Sequence, residues 1–159
     1  MQAKARFALL LSGVMLFAGT SASPRLLSTQ EILELVNRDR ASQGLPNLVI
    51  NPTLNLAALA KAQDMMSKDY FAHTSPEGKA PWYWFKALGY NYSYAGENLA
   101  EGFSDPNDLE NSWMASPEHR ANILSPFYSD VGLAVITENN LSLVVQLFGS
   151  KNHEVSLRQ

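Results

Sequence analysis

The 159-residue chain contains no cysteine. That excludes disulfides, thiol nucleophiles and thiolate metal sites, so a secreted form must be held together by its core. Basic residues are few and scattered: 12 Lys and Arg stand against 15 Asp and Glu. With no basic block there is no electrostatic footprint for nucleic acid, and the acidic excess argues against tight binding to anionic lipid. The serine-nucleophile signatures G-x-S-x-G and S-x-x-K are absent. No internal repeat, linker or low-complexity segment follows residue 22.

What is present begins with a targeting segment. Lys4 and Arg6 precede an apolar run from Phe7 to Ala18, and Gly19 to Ser23 are small residues. This is the layout of a secretory signal peptide, with cleavage expected after Ala22. The run is shorter than the roughly 20 residues a membrane span needs; an uncleaved anchor is the alternative. No cysteine follows it, which excludes a lipoprotein anchor. Residues 23–159 would keep ten basic and fifteen acidic residues, a net charge of −5. A chain of that length suits one domain, expected over 28–150 with a polar tail at 151–159. Secretion without disulfides points to a bacterial source.

Capping and turn chemistry place the elements. Ser28 with Glu31 predicts a capping box and a helix to about Gln43, stopped by Gly44 and Pro46. Ile32, Leu35, Val36 and Asp39 are expected inward, with Arg38, Arg40 and Gln43 toward water. Leu48–Ile50 reads as a short extended run. Asn51-Pro52 starts a second helix to about Asp69, with Leu56, Leu59, Ala60, Gln63 and Met65 or Met66 on its buried side. A third helix is expected over Trp82–Leu88 and a fourth after Asp105-Pro106, while Gly96-Glu97-Asn98-Leu99 reads as loop. Ser116-Pro117 starts a fifth helix. Asp130–Thr137 and Leu141–Phe148, joined by a polar turn, read as a β-hairpin covered on both faces.

Three stretches carry chemistry. His119 falls at the third position of the helix expected to be capped by Ser116. The positive end of the helix dipole disfavours an imidazolium there, and neutral imidazole is the ligating form. Glu118 shares that first turn, either as a site carboxylate or as a solvated helix-end acid. His73 lies in a turn-rich loop, and loops carry sites. Glu97 sits between Gly96 and Asn98 among apolar residues; a part-buried carboxylate needs a partner, which His73 or His119 can supply. Arg120 and Asn122 are expected to hold the loop or face solvent. Two His and one Glu make an incomplete zinc shell or an acid–base set without metal.

His73-Thr74-Ser75-Pro76-Glu77-Gly78, Gly96-Glu97-Asn98-Leu99-Ala100 and Trp113 through Leu124 together resemble the motifs of the CAP superfamily, or SCP domain: cysteine-rich secretory proteins, antigen 5 and pathogenesis-related 1. The likeness spans about residues 30–149 and is strongest to the cysteine-free bacterial branch. It implies an α+β fold, a three-layer α-β-α sandwich with a small central antiparallel sheet. It also implies a cleft in which His73 and His119 match the family histidines and Glu97 the acid of the Gly-Glu-Asn motif. Ser116 stands where the eukaryotic pattern has its second acid, and Glu118 where bacterial relatives usually carry glycine. The reading that follows is a secreted, monomeric binding module. Its His73/Glu97/His119/Glu118 cleft takes a divalent ion such as Zn²⁺ at His73 and His119, and a lipid, cell-envelope or protein ligand. The alternatives are a metal-dependent, peptidase-like hydrolase on the same cleft, and an envelope protein whose histidines only stabilise loops.

Overall fold

The computed structural model describes residues 27–138 and 141–151. The expected signal peptide and nearly all of the polar tail lie outside the described residues. The elements are α1 (Thr29–Ser42), β1 (Val49–Ile50), α2 (Pro52–Lys68), α3 (Trp82–Ala87), β2 (Tyr94–Glu101), α4 (Pro106–Ala115), α5 (Pro117–Ile123), β3 (Asp130–Glu138) and β4 (Leu141–Ser150). None of the described helices is long and apolar enough to cross a membrane.

Local chemistry sets most boundaries. Ser28 Oγ accepts from the Glu31 N–H, Asn51 from Thr53 and Leu54, and Asp105 from Asn107 and Asp108, so three helices begin on side-chain caps. Ser116 makes no such side-chain bond, although Pro117 still opens α5 as expected. Gly44 and Gly89 follow helix ends at φ 71° and 78°, a conformation that spares only glycine a steric cost.

The sheet runs β1-β3-β4-β2. β3–β4 are antiparallel as the hairpin reading expected, β2–β4 are antiparallel too, and the two-residue β1 lies parallel to β3, so the sheet is mixed rather than wholly antiparallel. Helices cover both faces. Leu54, Ala57, Ala58, Ala62, Met65, Trp84 and Phe85 pack on one side with Leu143, Val145 and Leu147. Ile32, Val36, Leu109, Trp113 and Ile123 pack on the other with Val144 and Phe148. β4 is buried on both faces from Ser142 to Gly149, which explains why its sequence does not alternate.

Three expectations are corrected. The loop expected at Gly96–Leu99 is inside β2; Gly, Glu and Asn are poor strand formers, and the strand exists because it pairs with β4 from Tyr94↔Ser150 to Glu101↔Leu143. Helix α2 is rotated from the expected face: Leu56 and Leu59 are 59% and 38% exposed, and Gln63 is exposed too. Its buried side is Leu54, Ala57, Ala58, Lys61, Ala62 and Met65. The narrow alanine face lets α2 approach β3 so closely that a Cβ on Gly132 would lie 2.2 Å from the Leu54 carbonyl carbon. Arg40, expected in water, is fully buried. Its guanidinium donates to the carbonyls of Pro46, Ile123, Ser125 and Tyr128, tying α1 to the segment after α5.

Candidate functional site

Strand β2 is an edge of the sheet. In an antiparallel strand, alternate residues turn their backbone groups away from the partner. On β2 those outward carbonyls are taken by side chains. Ala95 accepts from Tyr128 Oη at 3.1 Å, Glu97 from Asn122 Nδ2 at 3.1 Å and Leu99 from Trp113 Nε1 at 3.2 Å. Asn122 Nδ2 also donates to Asn98 Oδ1. Asn98 Nδ2 in turn donates to Gln146 Oε1 and to the His119 carbonyl. The Gly-Glu-Asn stretch is thereby bolted to α5. Glycine at position 96 makes room for this packing, because a Cβ there would meet Tyr128 Oη at 2.6 Å and Asn122 Oδ1 at 2.9 Å.

On the α2 side, Lys61 organises the His73 loop. Its ammonium is buried and donates to the carbonyls of Ala72 at 2.9 Å and His73 at 2.8 Å, over the ring of Trp84. Burial lowers its pKa, while the charges of Glu97 and Asp64 oppose that shift. Further along, Ser75 closes the turn by accepting from the N–H groups of Glu77 and Lys79.

These two supports bring His73 to Glu97, with Nδ1 2.6 Å from Oε1. The Glu97 side chain is 2% exposed and the imidazole 60%. Burial raises the carboxyl's pKa, and the His73 hydrogen bond with the Lys61 charge opposes the rise. When Glu97 is ionised it accepts the Nδ1 proton, which leaves Nε2 of His73 as the basic nitrogen on the exposed ring. Glu97 Oε2 is buried without a hydrogen-bond partner. Of the two partners the sequence left open for Glu97, the structure selects His73.

His119 is the third residue of α5, half-buried, its ring 6.4 Å from that of Trp113. Burial first, then the proximity of His73, lower its pKa; the charge of Glu118 opposes them. Its neutral form is thus favoured, through burial and the neighbouring His73 rather than through the helix position from which the sequence argued. Glu118 is exposed, and so is Arg120. Among the described residues no three His, Asp or Glu side chains are placed together to hold a metal ion. The donor chemistry nevertheless suits one: a carboxylate-supported imidazole and a second neutral imidazole are the kind of nitrogen donors zinc takes.

Lys61 and Tyr128 were not singled out in the sequence, and Asn98 was read only as a neighbour of Glu97 in the Gly-Glu-Asn stretch. Lys61 carried a faint signal, a lysine on the alanine-bearing face of a helix. Tyr128 carried none, and the hydrogen-bonding role of Asn98 was not legible, since their partners are distant in the chain.

Residues 33–148 match the model of the Cysteine-rich secretory protein family, CAP. The chain is 39% identical over 124 residues to the Bacillus subtilis protein YkwD, covering 77% of this chain and 48% of that one. A second relative, the B. subtilis membrane protein YlbC, is 28% identical over 108 residues and is covered to 31% of its length. The chain thus spans half or less of the curated relatives it matches. Among solved structures, an extracellular protein with an SCP domain from Bacillus anthracis superposes with a TM-score of 0.71 at 28% identity, over 77% of this chain and 40% of that one. An outer surface protein of Borrelia burgdorferi superposes with a TM-score of 0.70 at 22% identity, over 81% of this chain and 99% of that one.

Proposed function

The chain belongs to the cysteine-rich secretory protein (CAP) family, and from that premise we propose that it is an extracellular binding module. Its His73–Glu97 pair beside β2 receives a cationic or hydrogen-bond-donating group of a cell-envelope ligand, with a divalent ion such as Zn²⁺ as an accessory ligand. One observation carries this reading: a buried carboxyl spends one oxygen on an exposed histidine and leaves the other, Glu97 Oε2, without a partner. Oε2 itself is shielded, so an incoming donor meets Nε2 of His73, whose imidazole is 60% exposed. A metal would be held by Nε2 of His73, with His119 as the second nitrogen donor.

An extracellular location is supported indirectly, by similarity to proteins described as extracellular or outer-surface and by the expected signal peptide. Calorimetric titration with Zn²⁺ tests the metal component, comparing wild type with His73→Ala/His119→Ala. Binding at roughly micromolar strength, lost in the double variant, is the expected result. Co-sedimentation with isolated bacterial envelopes tests the ligand component. Glu97→Gln should weaken it, and equal sedimentation of the two proteins would remove the cleft from the function.

A further inference from the structure

At the start of β2, on a surface separate from the His73 cleft, Tyr94 and Phe127 stack on each other in the open. Their ring centroids are 4.7 Å apart at an interplanar angle of 18°, and the residues are 49% and 58% exposed. Trp84, Phe85, Tyr90, Trp113 and Phe148 are buried; Phe71 and Tyr83 are also exposed, but among the described residues neither is stacked on a second exposed ring. Beside the stacked pair lies a groove of about 660 Å³, lined also by Ser129, Asp130, Ser150 and Lys151. That is within the size range of small-ligand sites.

We propose that this groove is a carbohydrate site, in which the Tyr94–Phe127 pair takes the flat C–H face of a hexopyranose in a neutral, β-1,4-linked glycan chain. Three features select that class. The rings supply apolar area that water otherwise covers. The remaining lining is hydroxyls plus one acid and one ammonium, which balance and favour neither an anion nor a cation. The acid is also a fixed acceptor: Asp130 Oδ2 takes hydrogen bonds from the buried Tyr90 hydroxyl at 2.8 Å and from Asn51 Nδ2 at 2.9 Å.

A sugar ring has the same mixed character, an apolar face rimmed by hydroxyls. A lipid chain would strip water from the serines and both charges and return no hydrogen bond, at a desolvation cost. A peptide adding as a strand to β2 is blocked, because the outward carbonyls of Ala95, Glu97 and Leu99 are already taken.

The test is titration of the secreted protein with tetra-N-acetylchitotetraose and with cellotetraose, followed by ¹H–¹⁵N chemical shifts. At least one should bind at roughly millimolar strength or tighter, with shifts centred on residues 93–94, 127–130 and 150–151. Tyr94→Ala and Phe127→Ala, each with a melting curve to confirm folding, should weaken it at least about tenfold, whereas Tyr83→Ala should not. Tyr83 is a comparably exposed aromatic on α3. Failure of the wild type to bind either sugar overturns the proposal. So does binding that Tyr94→Ala and Phe127→Ala leave intact, or shifts centred elsewhere. The measurement does not involve His73, Glu97 or His119, so its outcome is independent of the cleft.

Discussion

Lys61 shows how much one residue can decide. It is a buried cation whose close hydrogen-bond partners are two loop carbonyls, Ala72 and His73. Replacing it by Met keeps the stem's packing but leaves those carbonyls without their charged donor. Hydrogen bonds to charged groups contribute about 1.5–3 kcal/mol each, partly offset here because Met need not be desolvated as an ammonium. Lys61→Met should therefore lower stability by about 1–3 kcal/mol. It should also release His73 from Glu97, seen as a shift of the His73 imidazole signals toward those of a free histidine. An unchanged His73 spectrum would show that the loop holds itself. Glu97 was legible as a part-buried carboxylate in need of a partner because it sits among apolar residues. Its supporting lysine was not, because nothing local marks a lysine as buried.

Among the elements, the close contacts of α2 and α5 with the sheet are made possible by glycine. At Gly132 an added Cβ meets the Leu54 backbone, at 2.2 Å from its carbonyl carbon and 2.3 Å from its oxygen. At Gly96 it meets the Tyr128 hydroxyl and the Asn122 amide, which are side-chain ends. A helix backbone cannot step aside, whereas side chains can turn. Gly132→Ala should therefore cost about 3 kcal/mol or more, and Gly96→Ala about 1–2 kcal/mol. Denaturant midpoints would give the ranking, and a reversed order would contradict the rigid α2–β3 contact. Gly96→Ala should also loosen α5, raising hydrogen exchange at Glu97 and Asn98.

For the whole molecule, stability should depend on pH through Glu110, a buried carboxyl on α4 near Asp39 of α1. Burial, reinforced by Asp39, pushes its pKa from 4.5 up to about 8. Between those values the folded state holds a proton that the unfolded state has lost. Stability therefore falls as pH rises through that window and levels off above it, by at most about 1.4 kcal/mol per pH unit. Glu97, raised in the same direction, adds to the slope. Glu110→Gln should flatten the profile between about pH 5 and 8 and raise the melting temperature at the alkaline end; parallel profiles for the two proteins would count against a raised Glu110. By itself the sequence determined the five helices, the final hairpin and the three motif stretches. Caps, prolines, turn residues and apolar runs act within a few residues of themselves. Only the tertiary structure decided that the Gly-Glu-Asn stretch is a strand, that α2 lies on its alanine face, that Arg40 and Lys61 are buried, and that Glu97 pairs with His73. Each of these depends on a partner from a distant part of the chain: β4 for the strand, Gly132 for the helix face, and loop carbonyls for the two cations.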